Sequence, residues 1–449
     1  MFSLDREHSL AKPGYSRWLV PPAALAIHLS IGQVYAFSVF KNPLLALPVP
    51  EGGRPWDLKQ VGYIFSIAIA VLGLAAAFLG PWLERVGPRR AMFYAAVCFG
   101  VGFEVAAMGA QVHSLSLIYL GYGVIGGIGL GLGYISPVST LIKWFPDRPG
   151  LAMGLAIMGF GGGAMIGGPL GTLLMAHFSA HGLPAIPWTW AWMGVVYFVF
   201  MMFGTFLVRV PAEGWKPEGW SGAEKRSAMI STHNVDVQHA WKTPQFVLLW
   251  VMLFCNTTAG IGILEQASPM IQDLFHGAVG PVAAAGFVGL LSIFNMAGRF
   301  LWASVSDYLG RKATYFCFFV LGTVLYFVLP MTRAAQMNSV PLFVAITLVL
   351  LSMYGGGFST MPAYLKDLFG SHHISAILGR VLTAWSTAGI VGPLIVNGIL
   401  DHYVAHHMNR QDAYPFILHI MSGLLIVGLA ANALVRPVNS RYWMKEETA

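Results

Sequence analysis

Twelve apolar segments follow one another along this chain, and they constrain its fold more than any other feature. Each is long enough to cross a lipid bilayer, which takes about 20 residues of helix. Only 10% of the residues are charged and the mean hydropathy is +0.65, whereas soluble domains carry about 25% charged residues. The chain is therefore predicted to be an integral membrane protein, and a soluble domain with a single anchor is excluded.

The segments form two groups of six, separated by a polar stretch that is rich in charged residues, Gly, Pro and Ser. They cover about 18–46, 59–83, 91–111, 115–142, 150–178 and 189–208, then 245–272, 282–306, 313–331, 340–366, 374–400 and 414–435. We predict an all-α membrane protein of twelve transmembrane helices in two six-helix pseudo-repeats. The predicted domains are a tail at 1–17, a bundle at 18–208, a linker at 209–243, a bundle at 244–436 and a tail at 437–449.

The distribution of Lys and Arg predicts the orientation of these spans. With both termini on one side, 20 of the 26 cations lie in loops and tails on that side and 5 on the other. The positive-inside rule then places both termini in the cytoplasm. We expect the first span to be retained, because the preceding residues lack the apolar core of a signal peptide. A bacterial inner-membrane protein, present as a monomer, is the expectation. The sequence pI of about 9.3 is no sign of nucleic-acid binding, because the cations lie in short loops between spans.

The two halves repeat each other, most clearly in a charged loop after the second span of each. GPWLERVGPRR at 80–90 corresponds to ASVSDYLGRK at 303–312, with Glu84 matching Asp307 at an offset of 223. A carboxylate at a helix end beside cations can hold neighbouring helices together and release them when the halves move. The candidate gating residues are Glu84, Arg85, Arg89, Arg90, Asp307, Arg311 and Lys312. The alternative is a basic loop that only sets topology.

Arg299 is the one Lys or Arg that falls well inside an apolar span. It lies roughly 12 Å from the end of its helix at ~1.5 Å per residue. A cation at the centre of a bilayer costs about 2.5–3.5 kcal/mol on insertion scales, so it should face a cavity or an anion. Intramembrane ionisable residues mark substrate pathways by default, although a structural arginine paired with a carbonyl or a carboxylate is the alternative.

Polar and aromatic side chains on other spans predict a small binding box around this arginine. Asn295 lies one turn before Arg299 on the same helix face. The remaining candidates are Gln33, Tyr35, Tyr134, Tyr354, Phe358 and Trp385. Any one of them alone would more often be a packing residue. Because a guanidinium binds a carboxylate bidentately, the box is suited to a small organic anion rather than a cation or a neutral sugar.

Other chemistry-bearing residues do not assemble into a competing site. Glu104 and Glu265 lie within spans and could carry a coupling proton, but a structural role is at least as plausible for Glu265. The cluster Asp401, His402, His406 and His407 is interpreted as a solvated loop rather than a metal site. No nucleophile–base set or phosphate loop is present, so we expect neither an enzyme nor a cofactor or metal.

Several segments together resemble the oxalate/formate antiporter family, a branch of the major facilitator superfamily related to monocarboxylate transporters. They are GQVYAFSVF (32–40), 133–164, 295–312 and 354–370. The resemblance implies the major facilitator fold, with exchange or symport of small organic acids at a midplane arginine that matches Arg299. It also implies ligand contacts from Gln33, Tyr35 and Tyr134, and possible coupling to protons.

The chain departs from the oxalate-exchanging members at one position. Those members carry a lysine in the eleventh span, where this chain reads TAWSTAG with Trp385. A second charge pair at ~4 Å is worth on the order of 4 kcal/mol at an effective dielectric near 20, so its absence favours monoanions over dianions. We therefore expect transport of formate, lactate, pyruvate or a similar monocarboxylate. The alternative function is a membrane carboxylate sensor without net transport.

Overall fold

The computed structural model describes residue 4 and residues 7–220, 230–231, 233–275, 277–333 and 339–444. In the first half, the long helices are α1 (Val20–Ile31), α2 (Leu58–Val86), α3 (Pro88–Gln111), α4 (Leu115–Trp144), α5 (Pro149–Ala180) and α6 (Ala185–Leu207). In the second half they are α7 (Pro244–Leu274), α8 (Pro281–Leu309), α9 (Arg311–Val328), α10 (Val340–Phe369), α11 (Ile374–Ala405) and α12 (Ala413–Leu434). The twelve predicted spans are confirmed. The cations Arg6, Lys225, Arg226 and Lys445, which contributed to the predicted orientation, lie outside the described residues.

Helix ends coincide with residues that satisfy or replace free backbone N–H groups. Asp57 and Gln60 form a capping box at the start of α2, and the hydroxyl of Ser339 accepts from the backbone of Leu342 in α10.

Gly87 and Gly310 separate α2 from α3 and α8 from α9, with φ of 87° and 89°. A side chain would strain this left-handed backbone, so these glycines permit the tight turns of the two charged loops.

Three spans are not regular α-helices along their whole length. The chain after α1 continues as a 3-10 helix, Gly32–Ala36, and then as a short α-helix, Ser38–Leu45. Within α4, Tyr119–Ile125 is π-helical. In α11, the helix is interrupted at Leu382, between Ile374–Val381 and Thr383–Ala405. The first two irregular stretches carry the aromatic and amide residues Gln33, Tyr35 and Tyr122.

Within each half the helices pack into a bundle, and the two bundles meet along α5 with α8 and α2 with α11. Glycines of α5 allow the close approach to α8. A Cβ at Gly150 would collide with the carbonyl oxygen of Ala303, and one at Gly154 would lie 3.0 Å from the Cα of Phe300. Small residues at such spacing let helix backbones touch. These glycines therefore have a packing role between the two halves.

The hydrogen bonds that join the two halves are found in the middle of the molecule and towards one of its ends. We call this end the basic end; it is formed by the turns at Gly87 and Gly310 and the loops 145–148 and 370–373. There, Asp307 of α8 accepts from the backbone of Gly150, and Ser386 of α11 donates to the carbonyl of Ile69 nearer the middle. Towards the opposite end, Gly286 and Gly289 of α8 face open space. The halves are therefore closed together at the basic end.

Candidate functional site

Arg299 is fully buried at the middle of α8. Its Nε donates to the Oδ1 of Asn295 at 3.1 Å, and one terminal nitrogen lies 3.5 Å from the carbonyl oxygen of Ile157 in α5. The other terminal nitrogen, Nη2, has no hydrogen-bond partner among the described residues. No described acidic side chain forms a salt bridge with this guanidinium, so its positive charge is not neutralised by the surrounding side chains whose positions are known.

Two glycines make room for the arginine side chain. A Cβ at Gly161 of α5 would lie 3.2 Å from Nε, and one at Gly355 of α10 would lie 3.1 Å from Cγ. The guanidinium carbon then stands 5.6 Å from the ring centre of Phe160 and 5.1 Å from that of Phe358. These cation–π contacts each stabilise a desolvated cation by about 2 kcal/mol, but they supply no negative charge to pair with it.

Trp385 is the centre of an aromatic cluster beside Arg299. Its ring centre lies 4.7 Å from that of Phe358, 5.3 Å from Phe160 and 5.5 Å from Tyr134. Tyr35 is 6.3 Å away. The cluster combines rings from α4 and α5 of the first half with rings from α10 and α11 of the second. It therefore lies across the boundary between the halves.

Polar atoms in this cluster remain available for a ligand. The hydroxyls of Tyr35 and Tyr354 are 3.3 Å apart and join the two halves. The hydroxyl of Tyr134 and the Nε1 of Trp385 are buried and have no hydrogen-bond partner among the described residues. Buried donors without partners are costly, so they mark positions where a ligand oxygen would be stabilised.

Seven of the eight predicted site residues are brought together in this way, and the eighth is not. Gln33 accepts a hydrogen bond from the hydroxyl of Tyr122 at 3.3 Å. Its stem packs against Gly167 of α5, close to Tyr197 of α6. Its Oε1 is thus engaged within the first half, while its Nε2 has no hydrogen-bond partner among the described residues. Its direct contact with a ligand stays a prediction.

Two residues beside the site were missed by the sequence reasoning. Phe160 faces Arg299 and contacts Tyr35 and Tyr134, but it is one of 29 phenylalanines, and no sequence signal separates it from the rest. His28 is fully buried in α1, with its ring 5.4 Å from that of Tyr134. A histidine within an apolar span is itself a functional signal, so His28 could have been identified from the sequence.

The acidic residues of the two charged loops each contact the start of a helix in the other half. Asp307 accepts from the backbone N–H of Gly150 and Leu151 at the start of α5, at 2.8 and 2.9 Å. Glu84 accepts from the N–H of Ala376 near the start of α11 at 3.2 Å and contacts His373 Nδ1 at 2.9 Å. Carboxylates are favoured at helix N-termini by the helix dipole. The predicted repeat therefore corresponds to two equivalent contacts between the halves.

The cations of these loops have different roles. Arg311 pairs with Asp307 at 2.5 Å and with Asp367 of α10 at 3.2 Å. Arg89 donates to the carbonyls of His8 and Val208, and Lys312 donates to those of Ala433 and Val435. Arg89 and Lys312 thus hold the last helix of their own half, while Arg85 is exposed and Arg90 is half-buried. Their predicted part in gating stays a prediction.

The remaining ionisable candidates lie away from the cluster. Glu104 is half-buried on α3, where its carboxylate faces Gly194 of α6. The side chain of Glu265 lies outside the described structure. In the loop after α11, His406 Nδ1 donates to the carbonyl of His402 at 2.8 Å, as expected for a helix end. Within the described residues, no group of three or more His, Cys, Asp or Glu is arranged to hold a metal ion.

Comparison with known proteins places this architecture. The family model described as Major Facilitator Superfamily matches residues 14–393 and 288–443. The chain is 24% identical to the oxalate:formate antiporter of Oxalobacter formigenes over 94% of its own length and 92% of that protein. It is 23% identical to apicoplast pyruvate carrier 1 of Toxoplasma gondii over 72% of this chain and 66% of that one.

Solved structures share the fold. The proton:xylose symporter XylE bound to 6-bromo-6-deoxy-D-glucose superposes with a TM-score of 0.67 at 14% identity, covering 92% of this chain and 94% of that chain. At such identity the similarity concerns the arrangement of the helices alone. The all-α fold with twelve membrane spans is confirmed, as is the resemblance to oxalate/formate antiporters and their relatives.

Proposed function

Because the chain belongs to the Major Facilitator Superfamily and is a membrane transporter rather than an enzyme, we propose that its substrates are small organic carboxylates. The buried, unneutralised guanidinium of Arg299 is the observation that carries this proposal. A charge held in a low-dielectric interior without a counter-charge costs several kcal/mol. A substrate that supplies the missing anion recovers that free energy, so the site selects a carboxylate.

Geometry supports the same substrate class. The free Nη2 and the hydroxyl of Tyr134 are two donors without partners, and the indole N–H of Trp385 is a third. The two oxygens of one carboxylate can accept from all three. Arg299 is the only cation among the described residues of the cluster, and the other side chains around the site are aromatic. A site with one positive charge favours a monoanion such as formate, lactate or pyruvate over oxalate. This selectivity would disfavour oxalate, one of the two anions named for the relative in Oxalobacter formigenes.

Transport by alternating access follows from the position of the site between the halves. We infer from the Lys and Arg distribution that the basic end faces the cytoplasm and that both termini lie on that side. The basic end is closed, and the end of α8 away from it faces open space. The structure then corresponds to a state that is open to the outside of the cell. Reversal of the closure would release the substrate inside.

The test begins with purified protein and a thermal-shift panel of C1–C4 carboxylates. Any carboxylate that raises the melting temperature is then used in counterflow, in which unlabelled substrate inside proteoliposomes drives entry of the labelled form. Wild type is expected to show saturable counterflow, and Arg299→Ala none, because the alanine removes the only cation of the described site.

Controls separate the competing explanations. Arg410→Ala removes an exposed arginine that lies far from the cluster in the loop before α12 and should leave counterflow intact. Near-normal counterflow by Arg299→Ala would contradict the assignment of Arg299. Binding by wild type without any counterflow would favour the alternative, a carboxylate sensor, over a transporter.

A further inference from the structure

His28 occupies an unusual position between α1, α4 and α5. Both ring nitrogens face backbone carbonyl oxygens: Nδ1 lies 2.5 Å from that of Ala156 and Nε2 lies 3.2 Å from that of Tyr134. A neutral imidazole has one N–H and can donate to only one of them, whereas the imidazolium donates to both. The backbone around His28 is therefore arranged for the protonated ring.

Burial of His28 in the bundle opposes its protonation, and the charge of Arg299 adds to that cost. Arg299 contacts the carbonyl of Ile157, the residue after Ala156, so the two side chains approach consecutive carbonyls of α5 from opposite halves. The imidazole and the guanidinium thus lie on either side of the same turn of α5, where a like charge opposes protonation of the imidazole. An anion bound to Arg299 removes this opposition.

Other groups around His28 do not replace this interaction. From α4 the facing titratable group is Tyr134, and from α8 it is Arg299. The α5 face presents the backbone of Gly159, and α6 packs on α1 through Gly204. Tyr197 of α6 lies further along α1, next to Gln33 and Gly167. Among the described side chains, the charged group that faces His28 is thus Arg299 of the substrate site.

We propose that His28 is the binding site of a coupling proton, which makes this protein a carboxylate–proton symporter. The inference rests on the proposed binding of a carboxylate at Arg299. In the empty site, His28 is neutral and donates from Nδ1 to Ala156. When a carboxylate neutralises Arg299, Nε2 takes up a proton from the aqueous phase, and the new N–H donates a hydrogen bond to the carbonyl of Tyr134. Departure of the carboxylate restores the charge of Arg299 and expels the proton on the same side.

Uptake driven by a pH gradient tests the proposal, with radiolabelled pyruvate as the probe. For a monoanion moved with one proton, a gradient of one pH unit supports about tenfold accumulation. Wild-type proteoliposomes should approach this value with an acidic exterior. His28→Gln should lose gradient-driven accumulation but retain pyruvate counterflow at equal pH, because its substrate site is intact. His419→Gln, which changes an exposed histidine of α12, should behave as wild type.

A second measurement uses unmodified protein. Purified wild type in weak buffer with a pH indicator should take up about one proton for each pyruvate bound, and His28→Asn or His28→Gln should take up none. Pyruvate binding without proton uptake by wild type would overturn the inference, as would full gradient-driven accumulation by either variant. If no carboxylate undergoes counterflow in wild type, the proposed function itself fails; counterflow that ignores the pH gradient contradicts the proton site alone.

Discussion

Arg299 is retained in the bundle at a cost to stability. Its guanidinium is buried, and one terminal nitrogen has no partner among the described residues. Replacing buried charges with apolar residues of similar size is often neutral or stabilising by about 1–4 kcal/mol. We expect Arg299→Met to raise the melting temperature in detergent while abolishing carboxylate binding. A large drop in melting temperature would mean that the arginine is structural.

The resemblance to oxalate-exchanging transporters implies that Trp385 stands where those proteins carry a lysine. Trp385→Lys places a second cation in the aromatic cluster and should improve binding of oxalate relative to formate by about tenfold or more, since a second charge pair is worth several kcal/mol. The ratio of the two dissociation constants is the measurement. Trp385→Met is the matched control, because it removes the ring without adding charge. Equal ratios in the two variants would refute the charge argument.

At the scale of single residues, the sequence predicted charges better than orientations. Arg299 and Asn295 were identifiable because an ion in an apolar span needs a partner. Gln33 was predicted to contact the ligand; its Oε1 bonds to Tyr122 and its Nε2 has no partner among the described residues, so this contact stays a prediction. Phe160 was missed because an apolar span has no polar face from which the orientation of its side chains can be deduced. His28 had a usable signal in its ionisable side chain.

At the starts of α5 and α11, a whole helix end takes part in the contact between the two halves. Each helix begins at the basic end and receives a carboxylate from the other half, Asp307 in one case and Glu84 in the other. The helix start supplies N–H groups that no residue within the helix can satisfy. Opening the basic end separates both pairs, so these caps favour closure there.

The cap on α11 adds a dependence on pH. The hydrogen bond that His373 donates to Glu84 raises the pKa of His373 above its usual 6.5, outweighing its partial burial, and Asp236 adds to the effect. A raised pKa means that closure gains stability at pH below 6.5 and loses it as the pH rises through the higher value. We expect the basic end to open more often as the pH increases past neutrality.

Spin labels at the exposed positions Tyr94 and Ser371 can follow this opening, after replacement of Cys98, Cys255 and Cys317. Their distance distribution should shift to longer values with rising pH in wild type. His373→Gln keeps an N–H for Glu84 but does not titrate, so its distribution should stay constant between pH 6 and 8, where histidine changes charge. A pH response that persists in this variant would assign the effect to another group.

The boundaries of the elements followed from the sequence, but their irregular parts did not. Apolar length predicted α7 at 245–272, and the helix is Pro244–Leu274. The π-helical stretch Tyr119–Ile125 lies among glycines of α4 that pack on α3. Its register depends on that contact and not on any local residue preference. The 3-10 helix after α1 similarly places Tyr35 against Tyr354 of the other half.

For the whole molecule, the close contact between α5 and α8 determines which end can close. Arg299 belongs to the second half, while the carbonyl it contacts and the ring of Phe160 belong to the first. Movement of one half against the other therefore changes the surroundings of the guanidinium and of any anion bound to it. Binding and conformation are coupled because the site is formed by both halves.

Gly150→Ala tests this coupling at the point of closest approach. The added methyl collides with the carbonyl of Ala303 when the basic end is closed, so the variant should favour the state that is open at that end. Spin labels at the exposed positions Arg148 and Leu309 should move apart, and counterflow should fall because one of the two states is depleted. Gly168→Ala, on the same helix, has its nearest neighbour at 3.7 Å and should preserve both readouts. If Gly150→Ala leaves the label distance and counterflow unchanged, closure at the basic end does not depend on backbone contact between α5 and α8.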